Sequence, residues 1–336
     1  MSARYSWFFI GTVLFIPSVV VWAGEPALRP WADNSWHWSY RGAPVLLLGG
    51  SDDDNLFQWP EEELVAQLDR LSSGGGNVIR NTMSDRKDKG FEIYPHQQRE
   101  DGEYDLNRWN EAYWTRFERL LRETTRRAII VQIEIWDRFD HPDLYDFVDV
   151  SQNNHNSGEK HWDNFLYVKK YLSKNPRPMN TTKTYGASGN KFGHTDQDAI
   201  ERFWRHLLGG AASIRFHRPP SGLGLNDKAL AAILAARKLE SFIPLWSVEP
   251  ANELLSQREE NEAYLAADLG RFYAIYFPAG GEVQPDVSAA KGALTIHWIK
   301  IDSGDLGPVR NFQGGDKILV TTPGPGNWAG VMVSDN

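Results

Sequence analysis

The sequence predicts a mixed α/β fold: a (β/α) TIM-like barrel that is incomplete at six strand units, followed by a small antiparallel β-sandwich. Three observations predict it. First, apolar runs of strand length alternate with amphipathic helical stretches from Val45 to Phe242, the pattern of parallel βαβ units. Second, from Trp246 onward the helices stop, and short alternating strands follow one another across Gly/Pro/Asp turns. Third, Ile129–Asp137 reads IIVQIEIWD, a strand whose two faces differ in chemistry. Val131, Ile133 and Ile135 form a β-branched face suited to helices, while Gln132, Glu134 and Trp136 share the other face, which ends near Asp137. A strand whose inward face turns polar toward its C-terminal end is typical of a barrel rim.

The elements follow in order. Arg4 and the apolar run Trp7–Trp22, ending in Val21-Trp22-Ala23, have the form of a cleaved leader, so the mature chain is expected to start at Gly24. Trp36–Gly50 predicts a hairpin turning at Arg41-Gly42 and feeding a buried strand at Val45–Leu48. Ser51-Asp52-Asp53-Asp54-Asn55 then lies at that strand's C-terminal end. Pro60 and Glu61 open a helix through Leu64, Leu68 and Leu71, which Gly74–Gly76 end. A second strand at Asn77–Arg80 runs into a long polar loop, Asn81–Arg108, and Trp109–Arg127 forms the helix leading to Ile129.

Beyond Asp137 the alternation breaks. Phe147–Val150 reads as a strand, yet only Asp137–Asp146 separates it from Trp136, and a parallel crossover needs about a dozen or more residues. The alternation then resumes with a helix at Trp162–Leu172, a strand at Met179–Thr184, a helix at Asp196–Leu208, a strand at Ala211–His217 and a helix at Asp227–Phe242. That gives six strand units where a closed barrel of this kind has about eight. The expected division is a leader at 1–23, a barrel at 24–245 and a β-sandwich at 246–336, the last folding as a separate unit with strands at Tyr264–Ala267, Phe272–Phe277, Leu294–Ile301 and Ala329–Val333.

Composition narrows the function classes. A formal charge of −8, or −9 without Arg4, argues against nucleic acid or anionic membrane as partners. With no cysteine, export would bring no disulfides, so stability must come from packing. Fourteen tryptophans suit core volume and also stacking against sugar rings. No cofactor is expected. The acidic run Asp52–Asp54 lacks the spacing of a calcium loop, and no His/Cys spacing suggests zinc. The sequon Asn180-Thr181-Thr182 falls inside a barrel strand, where a glycan has no room.

The strand-end residues supply the candidate chemistry. Glycoside hydrolysis usually needs two carboxylates flanking the scissile bond. Glu134 points inward by alternation and is the first choice, with Asp53 as its partner from the first loop and Asp137 as a third catalytic candidate. Asp52, Asp54, Arg80, Trp136, Asn154, His155, Lys183, Tyr185, Arg215 and His217 occupy comparable rim positions and suit sugar hydroxyls or a uronate carboxylate. The structural alternative for Glu134 is an ion pair with an arginine on a neighbouring strand, Arg80 or Arg215.

Several stretches together resemble one family. WHWSYRGAPVLLLGG, SDDDN, IRNTMSDR, QIEIWDRFD, FVDVSQNNH, NTTKTYG and SIRFHRP are similar to apiosidase-like glycoside hydrolase barrels of secreted bacterial proteins. YAIYFPAGGEV, HWIKIDSG and TPGPGNW are similar to the small β domain, labelled collagen-binding, that follows such barrels. The resemblance covers nearly all of Trp36–Val333. It implies a secreted hydrolase of O-glycosyl bonds acting on polysaccharide. It also marks a departure: in that family further strands and helices separate the segments joined here at Phe139-Asp140. The part not matched would hold barrel strands four and five. In the broad clan of retaining barrel glycosidases strand four carries the acid/base carboxylate, and NTTKTYG has no carboxylate where the clan's nucleophile stands. The expectation is therefore an open six-stranded barrel that acts on or binds polysaccharide with little or no hydrolysis. Its alternatives are a non-catalytic carbohydrate- or matrix-binding protein and a fragment from a faulty gene model that lost an internal segment of an intact relative.

Overall fold

The computed structural model describes residues 27–83, 89–134, 146–152, 156–191 and 193–334. The expected leader Met1–Ala23 and the candidates Trp136, Asp137, Asn154 and His155 lie outside the described residues.

The chain opens on a three-stranded antiparallel sheet, β1 (Leu28–Pro30), β2 (Trp38–Tyr40) and β3 (Ala43–Val45). The turn between β2 and β3 is Arg41-Gly42, both at positive φ (52° and 81°), the left-handed backbone that a two-residue hairpin needs. This sheet plugs the bottom of the barrel. Trp38 and Val45 pack there with Leu47, Val78, Ile130 and Phe147. The Trp38 indole donates to Asn180 Oδ1 at 2.9 Å, so the sequon asparagine is buried and engaged.

The barrel strands are β4 (Leu47–Gly50), β5 (Val78–Thr82), β8 (Ile130–Glu134), β9 (Val148–Asp149), β10 (Met179–Thr184) and β11 (Ser213–Phe216), with a hairpin of β6 (His96–Gln98) and β7 (Tyr104–Trp109) between β5 and β8. The six barrel strands are mutually parallel, in the order β8-β5-β4-β11-β10-β9. The last strand therefore closes onto the first, while β8 and β9 are the two ends of the sheet. That is the six-strand, open architecture the sequence predicts, with the opening on either side of the expected junction. Gly49 is required where β4 crosses β5, because a Cβ there would collide with the carbonyl of Val78.

Among the described residues five α-helices cover the sheet: α1 (Glu61–Ser73), α2 (Glu111–Arg126), α3 (Gly158–Leu172), α4 (Asp196–Gly209) and α5 (Asp227–Phe242). Thr195 and Asp198 form a reciprocal capping box at the start of α4, and Gly210 ends that helix in the left-handed conformation. Among the described residues no helix lies between β8 and β9. One departure from expectation lies on the edge strand: Val131 packs against the helix-side core, but Ile133, on the same face, is 40% exposed. Two other expectations are corrected. The polar stretch 81–108 is not all loop but contains the β6–β7 hairpin, and Trp109 ends β7 rather than starting α2, which Asn110 caps.

The C-terminal part has two facing sheets. The larger holds β12 (Glu249–Pro250), β14 (Tyr264–Asp268), β15 (Phe272–Phe277), β17 (Ala293–Lys300), β18 (Asp305–Gln313) and β20 (Trp328–Ser334); the smaller holds β13 (Leu255–Ser256), β16 (Glu282–Pro285) and β19 (Val320–Thr321). Leu265, Tyr273, Ile275, Ile296 and Met332 face the smaller sheet and make the sandwich core with Val283 and Val320. Their neighbours along the strands, Tyr264, Ala266, Ala274, Tyr276, Ala329 and Val331, belong instead to the core of the barrel helices. α4 and α5 are the contact. Ala229, Ala232, Ala235 and Ala236 of α5 are all fully buried, and their small side chains let a helix sit between two sheets.

Candidate functional site

The polar inward face sits at the C-terminal ends of the barrel strands. In the β5–β8 register Arg80 pairs with Gln132 and Thr82 with Glu134, so Arg80 and Glu134 share the inward face two residues apart across neighbouring strands. The Arg80 guanidinium binds both oxygens of Glu134, with Nε 3.2 Å from Oε1 and Nη2 on Oε2. Its Nη1 lies 3.0 Å from Asp54 Oδ1, a Coulombic contact whose N–H is not aligned for a hydrogen bond. Asp54 is the hub. Arg215 Nη2 reaches Oδ1 at 3.0 Å and Arg218 Nε reaches Oδ2 at 3.0 Å. Arg215 is itself held by the Thr182 carbonyl at 3.1 Å and by Ser51 Oγ.

Electrostatics follow from this packing. Burial alone would raise the Asp54 pKa, but Arg215 and Arg80, with a smaller contribution from Arg218, outweigh it and hold the carboxyl down at about 2. Burial lowers Arg215 to about 10, which leaves it charged at neutral pH. His217 is lowered to about 3, chiefly by burial and against the pull of Asp54, so its imidazole is neutral. The Tyr185 ring meets His217 edge-on at 4.9 Å, and burial raises its phenol pKa.

The candidate residues divide by what they touch. Arg80, Glu134, Asp54 and Arg215 form one network, with Tyr185 and His217 beside it. Asp53, the expected partner of Glu134, is turned away: its carboxylate accepts from the Asp54 amide at 2.6 Å and from the Trp59 indole at 3.1 Å, inside its own loop. Asp52 faces a different recess of about 530 Å³, lined also by Arg70, Ser188, Asp196 and Asn226, and accepts from the Leu225 amide at 2.8 Å. Lys183 is half-buried; its backbone N–H donates to Ser151 Oγ at 3.0 Å, and its charge acts on His217. Two participants were not singled out from sequence. Arg218 follows His217 directly and could have been included on that ground. Asp149 receives the Thr182 and Ser151 hydroxyls, and its two-residue strand gave no comparable signal.

What remains for a ligand is unused hydrogen-bonding capacity. Thr184 Oγ1, Arg215 Nε and His217 Nδ1 are buried with no partner among the described residues, at the ends of adjacent strands β10 and β11. No group of three or more metal-ligating side chains occurs among the described residues, and none of their helices is long and apolar enough to cross a membrane.

Fold and site together define an open TIM-like barrel with a charge-paired polar face, joined to a β-sandwich. No protein-family profile matches the chain, and no curated protein does. Solved structures do match in fold. A glycoside hydrolase family 5 structure from Bacteroides vulgatus ATCC 8482 aligns with TM-score 0.71 and 12% identity, over 91% of this chain and 93% of that one. A structure named glycoside hydrolase aligns with TM-score 0.68 and 12% identity, over 91% and 98%. A third, from the same Bacteroides vulgatus strain, aligns with TM-score 0.54 and 11% identity, over 90% and 81%. At such identities the likeness is one of fold.

Proposed function

We propose that this chain is an exported glycoside-hydrolase-like protein that binds polysaccharide through its open barrel and hydrolyses it little or not at all. The barrel spans 24–245 and the β-sandwich 246–336, after a leader at 1–23. The observation that carries the reading is Arg80, which occupies both oxygens of Glu134 and stands against Asp54. Hydrolysis usually needs one carboxyl with a raised pKa to protonate the leaving oxygen and a second to attack or to activate water. Asp54, held at about 2, is unable to be that acid. Glu134 meets water along the open side of the sheet, its side chain 41% exposed, and both of its oxygens are already taken by Arg80. Thr184, Arg215 and His217 are suited to sugar hydroxyls in the same recess. The glycoside hydrolases of similar fold support glycan as the ligand class, and the resemblance to apiosidase-like barrels supports a plant or microbial polysaccharide.

The test is release of reducing ends from a panel of plant and bacterial polysaccharides by the purified chain, beside its Glu134→Gln variant. The expected result is no release above the buffer blank for either protein. Turnover by the wild type that Glu134→Gln abolishes, with an unchanged circular dichroism spectrum, would overturn the inactivity and make Glu134 catalytic.

A further inference from the structure

We infer that Trp109 is a second glycan-binding site, a stacking platform on the rim of the barrel for the apolar faces of pyranose rings in a neutral polysaccharide. The proposal rests on the glycan reading above and extends it to a place outside the charge network.

The chain passes from β5 up to the C-terminal face, forms the β6–β7 hairpin and descends through α2 to β8, so the hairpin lies on the same face as Glu134. Trp109 closes that hairpin. It is 54% exposed, an unusual position for the largest apolar side chain, which burial would ordinarily stabilise. Exposure here does not come with looseness. The indole stacks on His96 with centroids 4.6 Å apart and an interplanar angle of 21°, and it meets Trp114 edge-on at 5.3 Å. Trp114 in turn contacts Tyr113, and Tyr113 contacts the fully buried Phe57, an aromatic series running from the rim to the core.

The backbone is pinned as well. The Trp109 carbonyl accepts from Gln97 Nε2 at 3.1 Å. The next residue, Asn110, donates its amide to the Pro95 carbonyl at 2.8 Å and its side-chain amide to the Tyr94 carbonyl at 2.9 Å, while its side-chain oxygen caps α2. A rigid, exposed indole loses little conformational freedom when a ligand stacks on it, which favours affinity. Asn107, exposed two residues earlier on β7, is a polar neighbour along the strand that suits the hydroxyls of a sugar whose C–H face lies on the indole. The formal charge of −8 selects against polyanionic chains, so the occupant is a neutral glycan.

Affinity gel electrophoresis of the full chain, in native gels cast with mixed-linkage β-glucan, xylan or galactan, tests this directly. The wild type is expected to be retarded by at least one of the three. Trp109→Ala is expected to weaken that binding roughly tenfold, Trp109→Phe to retain part of it, and Leu106→Ala, on the same hairpin and 73% exposed, to leave it unchanged. Equal retardation of wild type and Trp109→Ala would overturn the platform and leave the barrel site standing. Loss of retardation in Leu106→Ala as well would reduce the effect to general stickiness and overturn it too. No retardation of the wild type in any gel would also overturn it. That last outcome would overturn the glycan reading of the barrel as well, whereas equal retardation of wild type and Trp109→Ala would leave it standing.

Discussion

Arg80 decides the chemistry of the barrel because one guanidinium serves two acids on two different elements, Glu134 at the end of β8 and Asp54 in the loop after β4. The pairing with Glu134 was legible in the sequence, since both residues sit at inward positions of strands expected to be neighbours. The choice among Asp52, Asp53 and Asp54 was not. Asp52 and Asp54 turn on contacts made far along the chain, Leu225 for the first and Arg215 and Arg218 for the second, while Asp53 turns back on Trp59 within its own loop. Asp54→Asn leaves the buried guanidinium of Arg215 without its counter-charge and Arg80 with Glu134 alone, and is expected to destabilise the fold by about 3–5 kcal/mol. Urea unfolding measures it, and a loss under about 1 kcal/mol would mean that water solvates these arginines well enough on its own. The sign with pH is also fixed. A carboxyl whose folded pKa lies below its unfolded 3.8 adds stability that is complete above pH 4 and is lost as the pH falls toward about 2.

Acid sensitivity near neutrality belongs instead to the pairing of α3 with α4. His161 and His206 face each other there with ring centroids 4.5 Å apart, each 1% exposed, and none of their four ring nitrogens has a partner among the described residues. Burial, reinforced by Arg205 and Arg202, pushes His206 down to about 3, and burial likewise pushes His161 well below its usual 6.5, with His206 and the same two arginines adding to it. Both rings are therefore neutral in the folded chain and protonate below pH 6.5 when it unfolds. The unfolded state takes up more protons below pH 6.5, down to about 3 for His206, so stability falls as the pH drops below 6.5, by up to about 1.4 kcal/mol per pH unit for each ring. The midpoint of thermal unfolding is expected to drop between pH 7 and pH 5, and the double variant His161→Gln/His206→Gln to drop by clearly less. Equal drops would place the effect elsewhere, in His37 or His217, which burial also lowers, to about 4 and about 3. Helical periodicity located α3 and α4 well, but it gave no hint that two imidazoles would meet, because that depends on the angle at which the helices pack. The β6–β7 hairpin was missed for a related reason: HQQ in β6 carries no apolar alternation and β7 alternates only at Tyr104 and Leu106, so the order of the pair comes from stacking and capping contacts.

At the scale of the molecule, the open barrel compensates for its gap on the opposite side. β8 and β9 end the sheet, whereas α4 and α5, flanking the closed side, are covered by the six-stranded sheet of the sandwich. The gap was legible, since the stretch Asp137–Asp146 is shorter than a parallel crossover ordinarily needs. The union of barrel and sandwich was less so, although a trace of it is in the sequence. FYAIYF in β15 is apolar at every position, and a free-standing sandwich would alternate with polar residues on its outer face. Here Tyr273, Ile275 and Phe277 fill the sandwich while Ala274 and Tyr276 join the helix core, so both faces are buried. Gln197 and Asn327 exchange two amide hydrogen bonds of 2.8 Å across the boundary, and Arg205 donates to Asn261 at 3.0 Å. Neither part then buries its apolar surface without the other, and the whole chain is expected to unfold in one calorimetric transition despite its two-part architecture. A chain ended at Leu245 would expose Leu234 and Phe242 of α5 together with Trp204 of α4, which meet Gly304, His297 and Tyr276 of the sandwich, and is expected to aggregate or bind a hydrophobic dye strongly. Two separate transitions, or a soluble and cooperative 24–245 fragment, would show that the shared core contributes little and that the sandwich is an appended module.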